Sequence, residues 1–214
     1  MHLKWYGQSC FLMTSQAGTR VLMDPFGKGL GYKVPQVQAD IVTTSHDHFD
    51  HNNIAAVKGN FYHIDTRGIY THKDIGINGI LTCHDKVQGA SRGSNVVFTF
   101  SVDGLFVCHC GDLGHVLTLE QVNGIGKVDV LMVPVGGTFT INAAEALEVR
   151  SQLNPTITIP MHYRRTRTLG LVSMMLAPVD KFLAQAGQPV RVVQELTVDP
   201  SSLAEQAGIV VMKY

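Results

Sequence analysis

The stretch Ser45-His46-Asp47-His48-Phe49-Asp50-His51 decides how the chain is read. Three imidazoles and two carboxylates fall within six residues. The stretch follows Ile41-Val42-Thr43-Thr44, a β-branched apolar run expected to form a buried strand. Asn52-Asn53 and the apolar run 54–57 come next and suggest a capped short helix. The cluster is therefore expected on a tight loop between a strand end and a helix, where catalytic groups commonly gather. Imidazole nitrogen and carboxylate oxygen are the usual ligands of catalytic Zn, Mn or Fe. His46 and His48, two residues apart, project to one side of extended backbone. Asp50 and His51 lie beyond Phe49 and can point elsewhere, so one loop can serve two adjacent metals.

The pattern His46-x-His48-x-Asp50-His51 resembles the signature of the metallo-β-lactamase superfamily. That resemblance implies a two-metal hydrolytic site on an α+β fold, the four-layer αβ/βα sandwich. Periodicity alone suggests only α/β or α+β, with β-hairpins first and alternating strands and helices after Gly111.

The 214 residues suit one domain spanning 1–214, and 45% apolar residues suffice for a full core. Seventeen basic and seventeen acidic residues leave no net charge, which argues against nucleic acid as a partner. No apolar run approaches the ~20 residues of a membrane span. The N-terminus lacks the apolar core of a signal peptide. Cys10, Cys83, Cys108 and Cys110 show no metal-binding spacing and are expected to be reduced. A cytoplasmic protein acting on a small-molecule substrate is the expectation, with a homo-oligomer left open.

Further ligands are needed to close two metal shells. His84 follows a strand at 75–82, Asp112 ends Cys110-Gly111-Asp112, and His162 follows a strand at 156–160. The resemblance implies that His46, His48, His84 and Asp112 hold one metal. It gives Asp50, His51, Asp112 and His162 to the other, with Asp112 bridging. His109 competes with His84, but its place on the strand sets it opposite Cys108 and Cys110 and away from Asp112. Core or outer-sphere support is the expectation for it, and an orienting role for His115. Residues 104–115, 134–140 and 159–163 resemble a branch of small hydrolases similar to ascorbate-6-phosphate lactonases and N-acyl-phosphatidylethanolamine phospholipases D.

The implied cofactors are two divalent ions, Zn before Mn or Fe. The implied nucleophile is a metal-bound hydroxide, with Asp50 guiding its proton. Arg92, in a Gly-rich loop after His84, and Arg164 and Arg165, after His162, are candidates for binding an anionic substrate. The bond expected to break is an ester, lactone or phosphoester. A di-iron redox protein and a non-catalytic metal sensor are the rival readings on this ligand set.

Overall fold

A computed structural model describes residues 1–164 and 174–214. Two mixed sheets pack face to face. The first has six strands: β1 (His2–Gly7), β2 (Cys10–Thr14), β3 (Arg20–Met23), β4 (Ile41–Thr43), β5 (Tyr62–Ile64) and β13 (Glu195–Thr197), in the order β13-β1-β2-β3-β4-β5. The second has eight: β6 (Gly68–His72), β7 (Ile75–Cys83), β8 (Ser94–Val102), β9 (Leu105–His109), β10 (Val130–Pro134), β11 (Ile157–Met161), β12 (Val190–Val193) and β14 (Gly208–Met212), in the order β12-β14-β11-β10-β9-β8-β7-β6. Antiparallel pairing joins β6 to β9, and parallel pairing runs from β9 to β12 through β10, β11 and β14.

Residue chemistry explains the layering. Leu3 and Trp5 alternate with polar His2 and Lys4 on β1, so one face turns inward. β10 and β11 are buried at every position, as parallel strands covered on both sides must be. Leu3, Trp5, Phe11 and Met13 of one sheet join Phe98, Phe100, Met132 and Ile159 of the other in a single apolar core. Helix α1 (Leu119–Ile125) packs on β7 and β8, and α2 (Ala143–Leu153) packs on β10 and on α3 (Asp180–Ala186). Thr118 and Asn142 each complete the capping box that the sequence suggests. On the outer face of the six-stranded sheet, Leu22 and Val42 are covered by Phe26, Leu30 and Tyr32 of the loop after β3. No helix among the described residues is long and apolar enough to cross a membrane.

Residues 2–13 form two strands, because Gln8 takes a positive φ of 51° and turns the chain. β6 and β13 lie in segments where the sequence suggests no strand. The helix expected after Asn52-Asn53 is one 3-10 turn, Ile54–Ala56, without a side-chain cap. Asn53 instead donates to the Phe26 carbonyl at 3.0 Å.

Candidate metal centre

Four strand ends meet at one point. β4 runs into His46, β7 into His84, β9 into Asp112 and β11 into His162. The first belongs to the six-stranded sheet and the other three to the eight-stranded sheet. His46, His48 and His84 form one group of donor atoms, and Asp50, His51, Asp112 and His162 form a second. Within each group every donor atom lies within 4.8 Å of the others.

The Asp112 carboxylate reaches both groups. Its Oδ1 lies 3.2 Å from His51 Nε2, and its Oδ2 lies 3.1 Å from His162 Nε2 and 3.5 Å from His84 Nε2. Asn95 of β8 fixes the turn that delivers Asp112. Its Oδ1 accepts the Asp112 N–H at 2.9 Å, and its Nδ2 donates to the Cys110 carbonyl at 3.0 Å. Gly111 in that turn has φ +55°, and a Cβ there would meet Asn95 Oδ1 and Ser45 Cβ at 2.5 Å. No other residue fits this approach without displacing a neighbour.

Does this donor set fit a cation? Buried nitrogens and oxygens nearly always find partners. Here His46 Nε2, His51 Nε2, His84 Nδ1, His162 Nδ1 and Asp112 Oδ1 are buried without a hydrogen bond. Of these, His46 Nε2, His51 Nε2 and Asp112 Oδ1 are atoms that a cation held by the two groups would satisfy. The His/Asp composition suits Zn, Mn or Fe.

Asp24, which follows β3, is absent from the sequence-based candidates and organises the imidazoles. It is fully buried. Its Oδ1 accepts the Ser45 N–H at 2.7 Å, and its Oδ2 accepts the Ser45 hydroxyl at 2.7 Å and His51 Nδ1 at 2.8 Å. A carboxylate only accepts, so His51 carries its proton on Nδ1. The Ser45 hydroxyl spends its one hydrogen on Asp24, so His46 Nδ1, at 2.9 Å, donates to Ser45 Oγ. Both Nε2 lone pairs are thereby left for a cation. The local signal was an acid ending a strand before Pro25. Its partners became visible only once β3 and β4 paired in parallel, Met23 beside Thr43.

Burial alone would raise the Asp24 carboxyl, but the His51 charge and hydrogen bond bring it below its ordinary value. Burial alone would lower the His51 imidazole, yet Asp112, Asp24 and Asp50 hold it well above its ordinary value. His46 is pushed down to about 3 by burial, then by His51. Asp50 is brought down to about 2: burial opposes this, and the charge of His51 prevails. Gln8, also unforeseen, donates from Nε2 to Asp50 Oδ2 at 3.2 Å.

The other candidates fall as follows. His109 is buried outside both groups, with Nε2 2.8 Å from the Ser9 carbonyl and Nδ1 accepting the Gly111 N–H at 3.3 Å. Among the described residues His115 makes no hydrogen bond to a ligand side chain; its Nε2 accepts the N–H of Cys83, the residue before His84, at 3.1 Å. Arg92 lines the cleft of ≈ 240 Å³ over the two groups, with Phe49 and Phe139. Arg164 does not; it lines a neighbouring cleft beside Met174 and Lys181. Two residues past His162, whose φ is 51°, the Arg164 N–H donates to the Ala177 carbonyl at 2.9 Å. Arg165 lies outside the described residues.

Residues 2–162 match the family described as the Beta-lactamase superfamily domain. The chain is 28% identical over 192 residues to a metal-dependent hydrolase of Methanoculleus marisnigri, covering 76% of this chain and 81% of that protein. It is 25% identical over 209 residues to one of Thermoplasma acidophilum, covering 86% and 89%. A solved structure from Thermotoga maritima, a candidate Zn-dependent hydrolase of the metallo-β-lactamase superfamily, is 40% identical, with a TM-score of 0.81 and full coverage of both chains. The chain thus belongs to the β-lactamase superfamily domain family, as a metal-dependent hydrolase of the metallo-β-lactamase superfamily.

Proposed function

We propose that the enzyme hydrolyses an ester, lactone or phosphoester bond of a small anionic substrate at a site built for two divalent cations. The observation that carries this reading is the pair of donor groups with Asp112 within reach of both. His46, His48 and His84 would hold one cation, with Asp112 as shared ligand. Asp50, His51 and His162 would hold the other with Asp112. Zn is the first choice for these donors, with Mn and Fe also suited. When bound, the cations supply Lewis acidity: they lower the pKa of water and polarise the substrate oxygen.

The chain's own side chains do the rest. Asp50 sits both in a donor group and in the cleft wall. Ionised and held by Gln8, its carboxylate takes the proton of the attacking water and passes it to the leaving group. Phe49 and Phe139 keep water from the flanks of the substrate. Arg92 is the one cationic side chain lining the cleft among the described residues, and it receives the anionic part of the substrate.

The test pairs elemental analysis with an activity panel of lactones, phosphodiesters and thioesters on protein reconstituted with Zn or Mn. Turnover of an anionic lactone or phosphoester, abolished by His46→Ala or Asp112→Ala together with cation loss, is expected. No hydrolysis, with oxygen consumption by iron-loaded protein and reductant, overturns the reading in favour of a di-iron redox role.

A further inference from the structure

A second cleft of ≈ 250 Å³ adjoins the cation cleft and shares His84, Arg92 and Phe139 with it. Lys86, Thr138 and Asn142 give it polar walls. Both acids of its lining, Asp85 and Glu145, are already engaged; Glu145 accepts the Asn142 N–H at 2.9 Å and pairs with Lys86. The Arg92 guanidinium makes no hydrogen bond or ion pair among the described residues. It lies over the Phe139 ring, 4.8 Å from the centroid. A guanidinium stacked this way keeps its edge N–H groups available to an oxyanion.

A surface loop would ordinarily let the backbone beneath such a side chain wander, but Asp85 fixes it. Its Oδ1 accepts the N–H groups of Val87 and Gly89, both at 2.8 Å. Its Oδ2 accepts those of Ser91 at 2.9 Å and of Arg92 itself at 2.8 Å. One carboxylate therefore gathers four amides of the segment between His84 and Gly93. The segment is closed at its base by the His84 N–H, which donates to the Gly93 carbonyl at 3.0 Å. Gly114 backs this base so closely that a Cβ there would lie 2.2 Å from Asp85 N.

We propose that the second cleft receives the carboxylate or phosphate of the substrate while the scissile bond lies over the cations. Asp85 is then a positioning residue that holds Arg92 on Phe139 between the two clefts. This rests on the hydrolytic reading of the neighbouring site. Asp85 acts through Arg92, so removing both side chains weakens anion capture no further than removing Arg92 alone.

The experiment compares metal-loaded wild type with Asp85→Ala, Asp85→Asn, Arg92→Ala and the Asp85→Ala/Arg92→Ala double variant. KM and kcat are measured on a carboxylate- or phosphate-bearing ester and on its neutral counterpart, and inorganic phosphate binding is followed by calorimetry. Arg92→Ala is expected to raise KM for the anionic ester about tenfold more than for the neutral one. Asp85→Ala should follow it, Asp85→Asn should fall between, and the double variant should match Arg92→Ala. Equal effects of Asp85→Ala on both esters, or full additivity in the double variant, overturn the proposal. If wild type hydrolyses neither ester, the hydrolytic reading fails and the phosphate titration still decides. Weaker phosphate binding in Asp85→Ala and Arg92→Ala supports the anion site, and unchanged binding in either overturns the proposal.

Discussion

Asp24→Asn is expected to loosen both donor groups from a position that touches neither cation. The wild-type carboxylate takes three hydrogens: Ser45 N–H, Ser45 hydroxyl and His51 Nδ1–H, at 2.7, 2.7 and 2.8 Å. An amide oxygen can still take the first, but its NH2 group then faces the other two donors. The His51 proton has one alternative position, Nε2, which lies 3.2 Å from Asp112 Oδ1 and must stay unprotonated to bind a cation. Two charge-assisted bonds at about 1.5 kcal/mol or more each give a native-state cost near 3 kcal/mol. Losing the outer partner of a ligating histidine costs roughly 10–100-fold in cation affinity. His46 is reached only through Ser45, so its group should lose less. Chelator-competition titration, elemental analysis after dialysis and urea unfolding read these quantities separately. Ser45→Ala is the control, weakening the His46 branch while sparing His51. An Asp24→Asn protein that keeps its cations with wild-type affinity in both groups refutes the tautomer argument.

Chelating the cations should destabilise the fold, because it strands buried donor atoms; at ligand concentrations ~1,000 times Kd the loss approaches about 4 kcal/mol, or roughly 8–16 °C in Tm. Differential scanning calorimetry with and without chelator measures it. Gly111→Ala forces a Cβ onto Asn95 and Ser45 at positive φ, with an expected cost of about 2 kcal/mol or more and reduced metal content. Equilibrium denaturation beside elemental analysis checks both. Asp40, bonded to Lys73 at 2.7 Å and to the Arg20 N–H at 2.9 Å, has its carboxyl brought down to about 2; burial opposes this, and those partners overcome it. A depressed carboxyl stabilises the fold above its unfolded value, near 4, and the contribution vanishes as pH falls toward 2. Asp40→Asn should therefore flatten the acid limb of the stability curve between these values while leaving cation binding intact.

Much of the site could be read before the fold was known because its donors crowd into local patterns. Residues 46–51 announce themselves by composition, and His84, Asp112 and His162 each follow a recognisable apolar run. The capping boxes at Thr118 and Asn142 were equally legible, being short-range hydrogen-bond patterns. What escaped depends on distant pairing. β13 exists because Leu196 lies beside Leu3, nearly two hundred residues earlier. β6 is a half-exposed edge whose isolated Ile69 and Tyr70 leave no apolar run to notice. Gln8 and Asn95 are single polar residues with no local signature, and Asp24 offers only its place at a strand end before Pro25. Their importance comes from what the fold carries to them. Arg164 lies two residues past His162 in sequence, yet it lines a cleft beside the one over the donor groups.

The donors come from two separate layers: His46, His48, Asp50 and His51 from one sheet, His84, Asp112 and His162 from the other. Cations held there would act as a clasp across the seam between layers that otherwise cohere through apolar contact. A slide of one layer by a single ångström would pull the donor groups out of alignment without breaking any strand. Phe98 and Met132, which pack in the core between the layers and belong to neither donor group, therefore help set that alignment, and trimming them should show up as misaligned turnover before it shows up as unfolding.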